Sequence, residues 1–388
     1  MNSSSQSTRF ALRNATLIDD DRVLNRHAIL INGDQIEDVR ADDQCPSDIE
    51  CFDLQQAFVA PGFIDLQLNG CGGVLFNDAV TAETLRAMHQ TNLQSGVTGF
   101  LPTLITTTED EMRIALETVR ELCEDPCSGV LGIHLEGPYI NPARKGIHNA
   151  SAIRKPSAGM FEHIVTCAGK FPVMLTLAPE MNDASQLRAL AEAGVILSIG
   201  HSNARYEEAW VGFDSGIRVA THLFNAMSPW AGRDPGVVGA VLDRDEVASG
   251  IIVDGFHVHY ASVRLAKRIK GQKLFLVTDA VTPAGTKMRT FKFGGQTIYV
   301  KEGRCVTAEE VLAGALLTMI EAVANCVRYV GIPLWEAVRM ASLYPARILR
   351  RDHELGRVAK GYIANLAVFD ENYFVKGVVE RGAWLPHK

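Results

Sequence analysis

The sequence has 388 residues, of which 47% are hydrophobic, and it carries a formal net charge of −7. A chain of this length and apolarity can bury a large core in one large domain or in two. The weakly acidic balance, without long runs of like charge, argues against a nucleic-acid surface built on bulk positive charge. A small local anion pocket is still compatible with this composition.

The cysteines and the N-terminus indicate the compartment. Eight cysteines are scattered along the chain without a Cys-x-x-Cys pair, which favours reduced thiols over a disulfide framework. The polar start MNSSSQSTRF lacks a signal-peptide core, and no apolar run approaches the roughly 20 residues of a membrane helix. We therefore expect a cytoplasmic protein that does not enter a membrane.

Both ends of the chain read as β structure. The first sixty residues alternate in polarity and turn at Asn32-Gly33-Asp34, which predicts a hairpin. The tail GRVAKGYIANLAVFDENYFVKGVVERGAWL has the same texture. Its strands could complete the first sheet, so the two termini are expected to build one small domain.

Between the ends, short apolar runs alternate with amphipathic helical segments. Near-continuous apolar strands separated by helices are typical of a parallel sheet covered on both faces. Eight such strands favour a (β/α)8 barrel, and a doubly wound sheet is the alternative. The runs are FIDLQLNG, VTGFLPTLIT, GVLGIHLEG, VMLTLAPE, GVILSIGHS, VATHLFNAM, ASGIIVDG and LFLVTDA.

After the eighth strand the pattern changes once more. The segment FGGQTIYVKEGRCV predicts a hairpin over residues 293–306. Two long helices are expected to follow it, around residues 307–330 and 333–351.

Polar side chains recur where six of the eight predicted strands end. Because barrel enzymes carry their chemistry at the carboxyl ends of the strands, we expect these side chains to form one ring. Carboxylate and imidazole in such a ring suit a divalent metal and acid–base chemistry. The principal members are Gln67, Asn69, Glu136, His201, His222, Asn225, Asp254, His257 and Asp279.

Each of these residues also has a structural interpretation when it is taken alone. A single histidine in an apolar strand is more often a satisfied core residue, and Glu136 or Asp279 could cap a following helix. The amides of Gln67 and Asn69 could simply hydrogen-bond loop backbone. The set of residues carries the functional prediction, because chance agreement of all its members is much less likely than that of any one.

The motifs around these residues resemble those of N-acetylglucosamine-6-phosphate deacetylases of the amidohydrolase superfamily. The matching segments are PGFIDLQLNGCGG, HLEGPYINPARKGIH, GHSNA, THLFNAM, DGFHV and LVTDA. The resemblance covers nearly the whole chain. It implies a distorted (β/α)8 metal-dependent barrel over residues 60–352 and a small β-sandwich domain made of residues 1–59 plus 353–388. It also implies a homodimer, or a dimer of dimers.

The resemblance implies one divalent metal per subunit, held by Glu136, His201 and His222. Zn2+ is the expected ion, with Fe2+, Co2+ and Mn2+ as alternatives, since these ligands accept all four. Many relatives carry His-x-His at the end of the first strand and bind two metals, whereas this chain has Gln67-x-Asn69. Neutral carboxamides are weak ligands, so we expect them to organise water or loop backbone where a second metal would lie.

The resemblance also implies where a substrate is held. His257, Asn225 and Ala226 correspond to the phosphate side, and His148 lies near the scissile acetamide. Arg233 resembles an arginine that reaches the phosphate across a dimer interface, although its spacing alone favours a surface salt bridge. The other implied contacts are Ile147, Asp254, Ala313, Gly314 and Ala315, and the usual serine is absent at Ala315.

The implied reaction is hydrolysis of N-acetyl-D-glucosamine 6-phosphate to D-glucosamine 6-phosphate and acetate, in amino-sugar catabolism and cell-wall sugar recycling. Asp279 is expected to act as general base and then acid, with help from His148. A dihydroorotase is disfavoured, because Glu136 stands where that enzyme has a carbamylated lysine. A deacetylase of another amino-sugar phosphate, such as the galactosamine epimer, and a non-catalytic sugar-phosphate sensor stay open.

Overall fold

The structure is a computed structural model that describes residues 9–19, 21–293 and 295–387. Contacts divide the chain into two compact units. The first unit contains Met1–Ile64, Asn92–Gly99 and Met319–Lys388, and the second contains Asp65–Thr91 and Phe100–Thr318. Within the described residues, no helix combines the length and the apolarity needed to cross a bilayer.

The strands fall into four hydrogen-bonded sheets. In chain order they are β1 (Arg9–Asp19), β2 (Arg22–Asn32), β3 (Gln35–Ala41), β4 (Glu50–Asp53), β5 (Phe58–Pro61), β6 (Phe63–Leu68), β7 (Gly70–Cys71), β8 (Val74–Leu75), β9 (Val97–Ile105), β10 (Ile133–Glu136), β11 (Val173–Leu177), β12 (Ile196–Ile199), β13 (Val219–Ala220), β14 (Ala248–Ile251), β15 (Leu274–Leu276), β16 (Thr290–Phe293), β17 (Gln296–Lys301), β18 (Arg304–Val306), β19 (Leu366–Phe369), β20 (Val375–Glu380) and β21 (Ala383–Pro386).

The α-helices mostly lie between the strands of the second unit. They are α1 (Ala82–Leu93), α2 (Glu109–Cys123), α3 (Ala158–Ala168), α4 (Ala184–Glu192), α5 (Tyr206–Asp214), α6 (Gly236–Asp243), α7 (Tyr260–Lys270), α8 (Met319–Asn325), α9 (Leu334–Ala341) and α10 (Leu343–Ile348). Helix α2 shows why such segments are helical. Thr108 and Glu111 form a capping box at its start, and Met112, Leu116 and Val119 bury one face.

The first unit is built on a sheet to which both chain ends contribute. Its order is β21-β20-β19-β5-β1-β2-β3, with β4 pairing on β1. The hairpin between β2 and β3 turns at Gly33 and Asp34, as predicted. The inward residues of these strands, among them Leu12, Ile29 and Val368, form one apolar cluster.

The eight apolar runs of the middle region form one parallel sheet in the order β15-β14-β13-β12-β11-β10-β9-β6. The strands are almost entirely buried, and all nine residues of β9 are, as expected for a sheet covered by helices. Leu68 and Ala280 form a parallel bridge between the two ends of this sheet, and Asp279 N donates to Gln67 O at 2.9 Å. The sheet therefore closes into a (β/α)8 barrel, which confirms the predicted fold class.

The region after the barrel strands matches the prediction only in part. The hairpin of β17 and β18 is present, and β16 adds a third strand. The first predicted helix is wrong over residues 307–318, because α8 begins only at Met319. Gly314 has a φ of +72°, and Ala315 N donates to Asp279 O at 2.9 Å. These long-range backbone bonds override local helix propensity. The second predicted helix is broken at Ser342 into α9 and α10.

Candidate active site

Three predicted ligands converge at the carboxyl ends of β10, β12 and β13. Glu136 is the last residue of β10, and His201 and His222 each lie two residues beyond their strand. The Nε2 atoms of His201 and His222 lie 2.9 and 3.0 Å from Glu136 Oε1, and 3.2 Å from each other. All three side chains are buried.

The donor set at this point fits a divalent cation. His201 Nδ1 lies 2.8 Å from the Arg144 carbonyl oxygen, which can only accept a hydrogen bond. The Nδ1 atom of His201 therefore carries the proton, and in the neutral ring the lone pair of Nε2 points at the Glu136 carboxylate. Lone pairs facing one another at these distances are relieved by a cation between them. Fixing a histidine ligand through its other nitrogen is typical of metal sites.

A second grouping of potential ligand atoms includes His148. One ligand atom each from Glu136, His148 and His201 lies within 4.8 Å of the others. We favour His222 as the third member of the set. Its Nε2 lies 3.0 Å from Glu136 Oε1 and 3.2 Å from His201 Nε2, whereas His148 Nδ1 lies 2.7 Å from Thr106 Oγ1.

The two carboxylates of the site, Glu136 and Asp279, have pKa values shifted in opposite directions. Burial alone would raise the pKa of Glu136, but its interactions with the His201 and His222 imidazoles outweigh burial and hold the pKa well below its usual range. For Asp279, burial and then the charge of Glu136 raise the pKa to about 6. One carboxylate thus stays ionised and available to a cation, while the other can exchange a proton near neutral pH.

The amides of Gln67 and Asn69 hydrogen-bond these two carboxylates. Gln67 Nε2 donates to Glu136 Oε2 and to Asp279 Oδ1, both at 3.2 Å, and Asn69 Nδ2 donates to Asp279 Oδ1 at 2.7 Å. We expected these amides to hydrogen-bond loop backbone or water, but their nitrogens donate to the two carboxylates instead. Among the described residues, no hydrogen bond engages Asp279 Oδ2, and Asp279 lines the cavity above the site.

A buried carboxylate that the sequence analysis missed supports the backbone around Asp279. Asp65 accepts hydrogen bonds from Thr278 Oγ1 at 2.5 Å and from Gln67 N at 3.1 Å. Thr278 Oγ1 in turn accepts from Ala280 N at 3.2 Å. Asp279 itself has a φ of +50°, an unfavourable backbone conformation that such flanking bonds can hold. The period-two spacing of Asp65 and Gln67 on β6 is the signal that could have revealed Asp65.

Polar side chains continue into the barrel interior below the site. Thr176 Oγ1 lies 2.7 Å from His134 Nε2 and 2.6 Å from Thr221 Oγ1. Burial lowers the pKa of His134 to about 4, so this histidine is neutral. Each barrel strand contributes a buried polar residue within it or just beyond its end: Asp65, Thr103, His134, Thr176, Ser198, Thr221, Ser249 and Thr278.

The predicted phosphate side lies on loops after β13 and β14. Asn225 and Ala226 follow His222, and Ala226 has a φ of +50°. Asp254 Oδ2 lies 2.6 Å from His257 Nδ1, and Asp254 Oδ1 accepts the backbone N–H of His257 at 2.8 Å. Asp254 thus orients His257, and among the described residues no hydrogen bond engages the other ring nitrogen.

A cavity of about 170 Å3 lies over these groups. Most of the predicted site residues line it, namely Asn69, Glu136, Ile147, His148, His201, His222, Asn225, Ala226, His257, Asp279, Ala313 and Gly314. Gln67, Asp254 and Ala315 are not among these lining residues, and Arg233 is exposed in the turn that joins Ala231 to Asp234. The sequence analysis missed four lining residues: Ile105, Gly146, Phe293 and Leu312.

Comparison with known proteins identifies the family to which this chain is similar. The chain matches the model of the amidohydrolase family over residues 58–385 and that of the NagA composite domain over residues 9–59. It is 47% identical over 379 residues to N-acetylglucosamine-6-phosphate deacetylase of Haemophilus influenzae, covering 97% of this chain and 99% of that protein. It is 37% identical over 328 residues to N-acetylgalactosamine-6-phosphate deacetylase of a Shewanella species, covering 84% and 82%.

A solved structure shows the same fold throughout. The crystal structure of N-acetylglucosamine-6-phosphate deacetylase from Pasteurella multocida has a TM-score of 0.95 and 43% identity, and the match covers 98% of this chain and 100% of that one. Since both the family model and these relatives span most of the sequence, the chain belongs to the amidohydrolase family.

Proposed function

We propose that this protein removes the acetyl group of N-acetyl-D-glucosamine 6-phosphate and releases D-glucosamine 6-phosphate and acetate. The observation that carries the proposal is the pairing of an ionised Glu136–His201–His222 cluster with Asp279, whose pKa lies near neutrality, in one cavity. The name of the Haemophilus relative, at 47% identity over nearly the whole chain, supports the substrate.

Glu136, His201 and His222 would hold one divalent metal, for which we propose Zn2+. Such an ion supplies Lewis-acid activation of water and of an amide carbonyl at neutral pH. One ion fits the site better than two, because the neutral carboxamides of Gln67 and Asn69 are weaker ligands than imidazole and their nitrogens already donate to Glu136 and Asp279.

The side chains of the cavity then divide the remaining tasks. Asp279 Oδ2 takes a proton from the attacking water as that water adds to the acetamide carbon, and the same oxygen returns the proton to the leaving nitrogen. His148 is neutral, because burial lowers its pKa well below the usual value. Its Nδ1 lies 2.7 Å from Thr106 Oγ1, so Nε2 can donate a hydrogen bond to the developing oxyanion if it carries the proton.

The phosphate would be held at the far side of the cavity by His257, Asn225 and the backbone of Ala226. Ala313 and Gly314 would contact the sugar from the loop before α8. We also propose a homodimer in which Arg233 of each subunit reaches the neighbouring phosphate site, since a guanidinium is suited to bidentate phosphate contacts. The exposure of Arg233 is compatible with this arrangement.

A second candidate substrate is N-acetyl-D-galactosamine 6-phosphate. It is favoured by the Shewanella relative, which is 37% identical to this chain. The higher identity to the glucosamine enzyme makes the gluco epimer our first choice. We also propose that the protein is cytoplasmic. The domain boundaries that we propose lie at residues 59/60 and 352/353.

The test is acetate release from a panel of N-acetyl sugars. The panel contains the 6-phosphates of N-acetylglucosamine and N-acetylgalactosamine and unphosphorylated N-acetylglucosamine. We expect the largest kcat/KM for the gluco phosphate and the smallest for the unphosphorylated sugar. A larger value for the galacto phosphate would support the second candidate. Binding of these compounds without any acetate release would instead indicate the sugar-phosphate sensor.

A further inference from the structure

We propose that Phe293, together with Ile105 and Ile147, forms the pocket for the acyl group and restricts the reaction to short acyl chains. The proposal rests on the proposed function, since it concerns which N-acyl amino-sugar phosphates the same site accepts. Phe293 lies on β16, outside the barrel strands and outside the sequence motifs that identify the metal cluster.

The three side chains meet at one wall of the cavity. Ile105 is the last residue of β9, Ile147 directly precedes His148, and all three side chains line the cavity. Phe293 and Ile105 belong to one apolar cluster that also contains Ala313, and Ile147 packs against that cluster. Phe293 is only 2% exposed, so its ring is held between the cavity and the packed interior.

This apolar wall lies across the barrel from the proposed phosphate side. Ile105 ends the second barrel strand, β9, and Asn225 and Ala226 follow the sixth, β13. These strands are four positions apart in the closed order of eight, so their ends face each other across the ring. Glu136, His201 and His222 line the same cavity.

The proposed substrate carries its acyl group and its phosphate on opposite sides of the sugar ring. In a hexosamine 6-phosphate the N-acyl group is on C2 and the phosphate-bearing C6 is on C5, and these two ring carbons lie opposite each other. If the phosphate lies at His257 and Asn225, the acyl group extends in the other direction, toward Ile105 and Phe293. An apolar wall there favours the methyl of an acetyl group, because burying it removes apolar surface from water.

The packing behind the wall explains why longer chains would be excluded. The Phe293 ring centroid lies 6.4 Å from that of Phe291, and Phe291 belongs to the same apolar cluster. A close-packed interior of this kind resists the displacement that an added methylene would require. In an apolar specificity pocket, one methylene typically changes kcat/KM by roughly 10- to 200-fold.

The test compares kcat/KM for the N-acetyl, N-propionyl and N-butyryl derivatives of glucosamine 6-phosphate. Wild type is compared with Phe293→Ala, Phe293→Leu and the control Phe213→Ala. Phe213, on α5, is fully buried but lies outside the apolar cluster of Phe293 and does not line the cavity. The ratio of butyryl to acetyl activity is the readout, because a reduced fraction of folded enzyme cancels from it.

We expect the ratio to rise at least about tenfold in Phe293→Ala, less in Phe293→Leu, and to stay at the wild-type value in Phe213→Ala. An unchanged ratio in both Phe293 variants, or an equal rise in Phe213→Ala, would overturn the proposal while acetate release by the wild type keeps the proposed function. A wild-type enzyme that releases no acid from any of these substrates would overturn both.

Discussion

Asn69 Nδ2 donates a hydrogen bond of 2.7 Å to Asp279 Oδ1, and Gln67 Nε2 reaches the same oxygen at 3.2 Å. Two neutral amides therefore hold one oxygen of the proposed general base and leave the other toward the cavity. Hydrogen bonds to a carboxylate favour its ionised form. They oppose burial and the charge of Glu136, which raise the pKa of Asp279. At this position the amides provide part of the stabilisation that a second cation would provide.

Replacing Asn69 by leucine tests this relationship. The variant loses the donor at similar volume, so the pKa of Asp279 should rise and the acid limb of the kcat/KM profile should move to higher pH. A hydrogen bond to a charged group is worth about 1.5–3 kcal/mol, so kcat should fall roughly 10- to 100-fold. Asn182→Leu is the control, because its amide donates only to the carbonyls of Tyr139 and Ala178. An acid limb at the wild-type position in both variants would contradict the assignment.

Asp279→Asn removes the proton acceptor while keeping the shape of the side chain. We expect kcat to fall by roughly 10² to 10⁴-fold, the usual contribution of general acid–base catalysis. Metal content should stay at the wild-type level, because Asp279 lies outside the Glu136, His201 and His222 contacts. Near-normal turnover by this variant would show that another group takes the proton.

Metal content distinguishes one bound ion from two. We expect about one divalent metal per chain, loss of acetate release on chelation and recovery on refilling. His222→Ala should reduce the metal content measured by elemental analysis, since Nε2 of His222 lies 3.0 Å from Glu136 Oε1. Gln67→Leu should leave it unchanged. About two metals per chain in the wild type would make Gln67 and Asn69 ligands after all.

The sequence predicted the barrel and the convergence of Glu136, His201 and His222 because both depend on local patterns. Buried strands are continuous apolar runs, and their ends carry recognisable motifs around Glu136 and His222. Tertiary contacts decided the rest. The segment before α8 contains good helix formers, yet the backbone of Ala315 bonds to Asp279 instead. Phe293 and Ile105 belong to one apolar cluster although they are 188 positions apart in the sequence. A local sequence pattern cannot predict that two such distant residues pack together.

Asp65 should make stability depend on pH. Burial raises its pKa from 3.8 to about 7. Between these values the folded chain holds a proton that the unfolded chain has lost, so the free energy of unfolding falls as pH rises, by about 1.4 kcal/mol per unit from this group. Asp65→Asn is neutral throughout and lacks that term. Urea unfolding at about pH 5 and about pH 7 should show wild type losing stability relative to the variant. If the free energy of unfolding changes equally between the two pH values in wild type and variant, the ionisation belongs to another group.

Arg233 can be tested by mixing two variants that are each impaired in a different way. Arg233→Ala should raise KM for the phosphate substrate about 10- to 100-fold, as expected for loss of a charged hydrogen bond, and Asp279→Asn should lack turnover. If Arg233 acts on the neighbouring subunit, a mixed dimer contains one complete site, with Asp279 from one chain and Arg233 from the other. Unfolding and refolding the two variants together should then restore activity at low substrate concentration, with each variant refolded alone as control. If Arg233 serves its own subunit or only the surface, the mixture gains nothing over the separate samples, because no site in the mixed dimer combines both side chains.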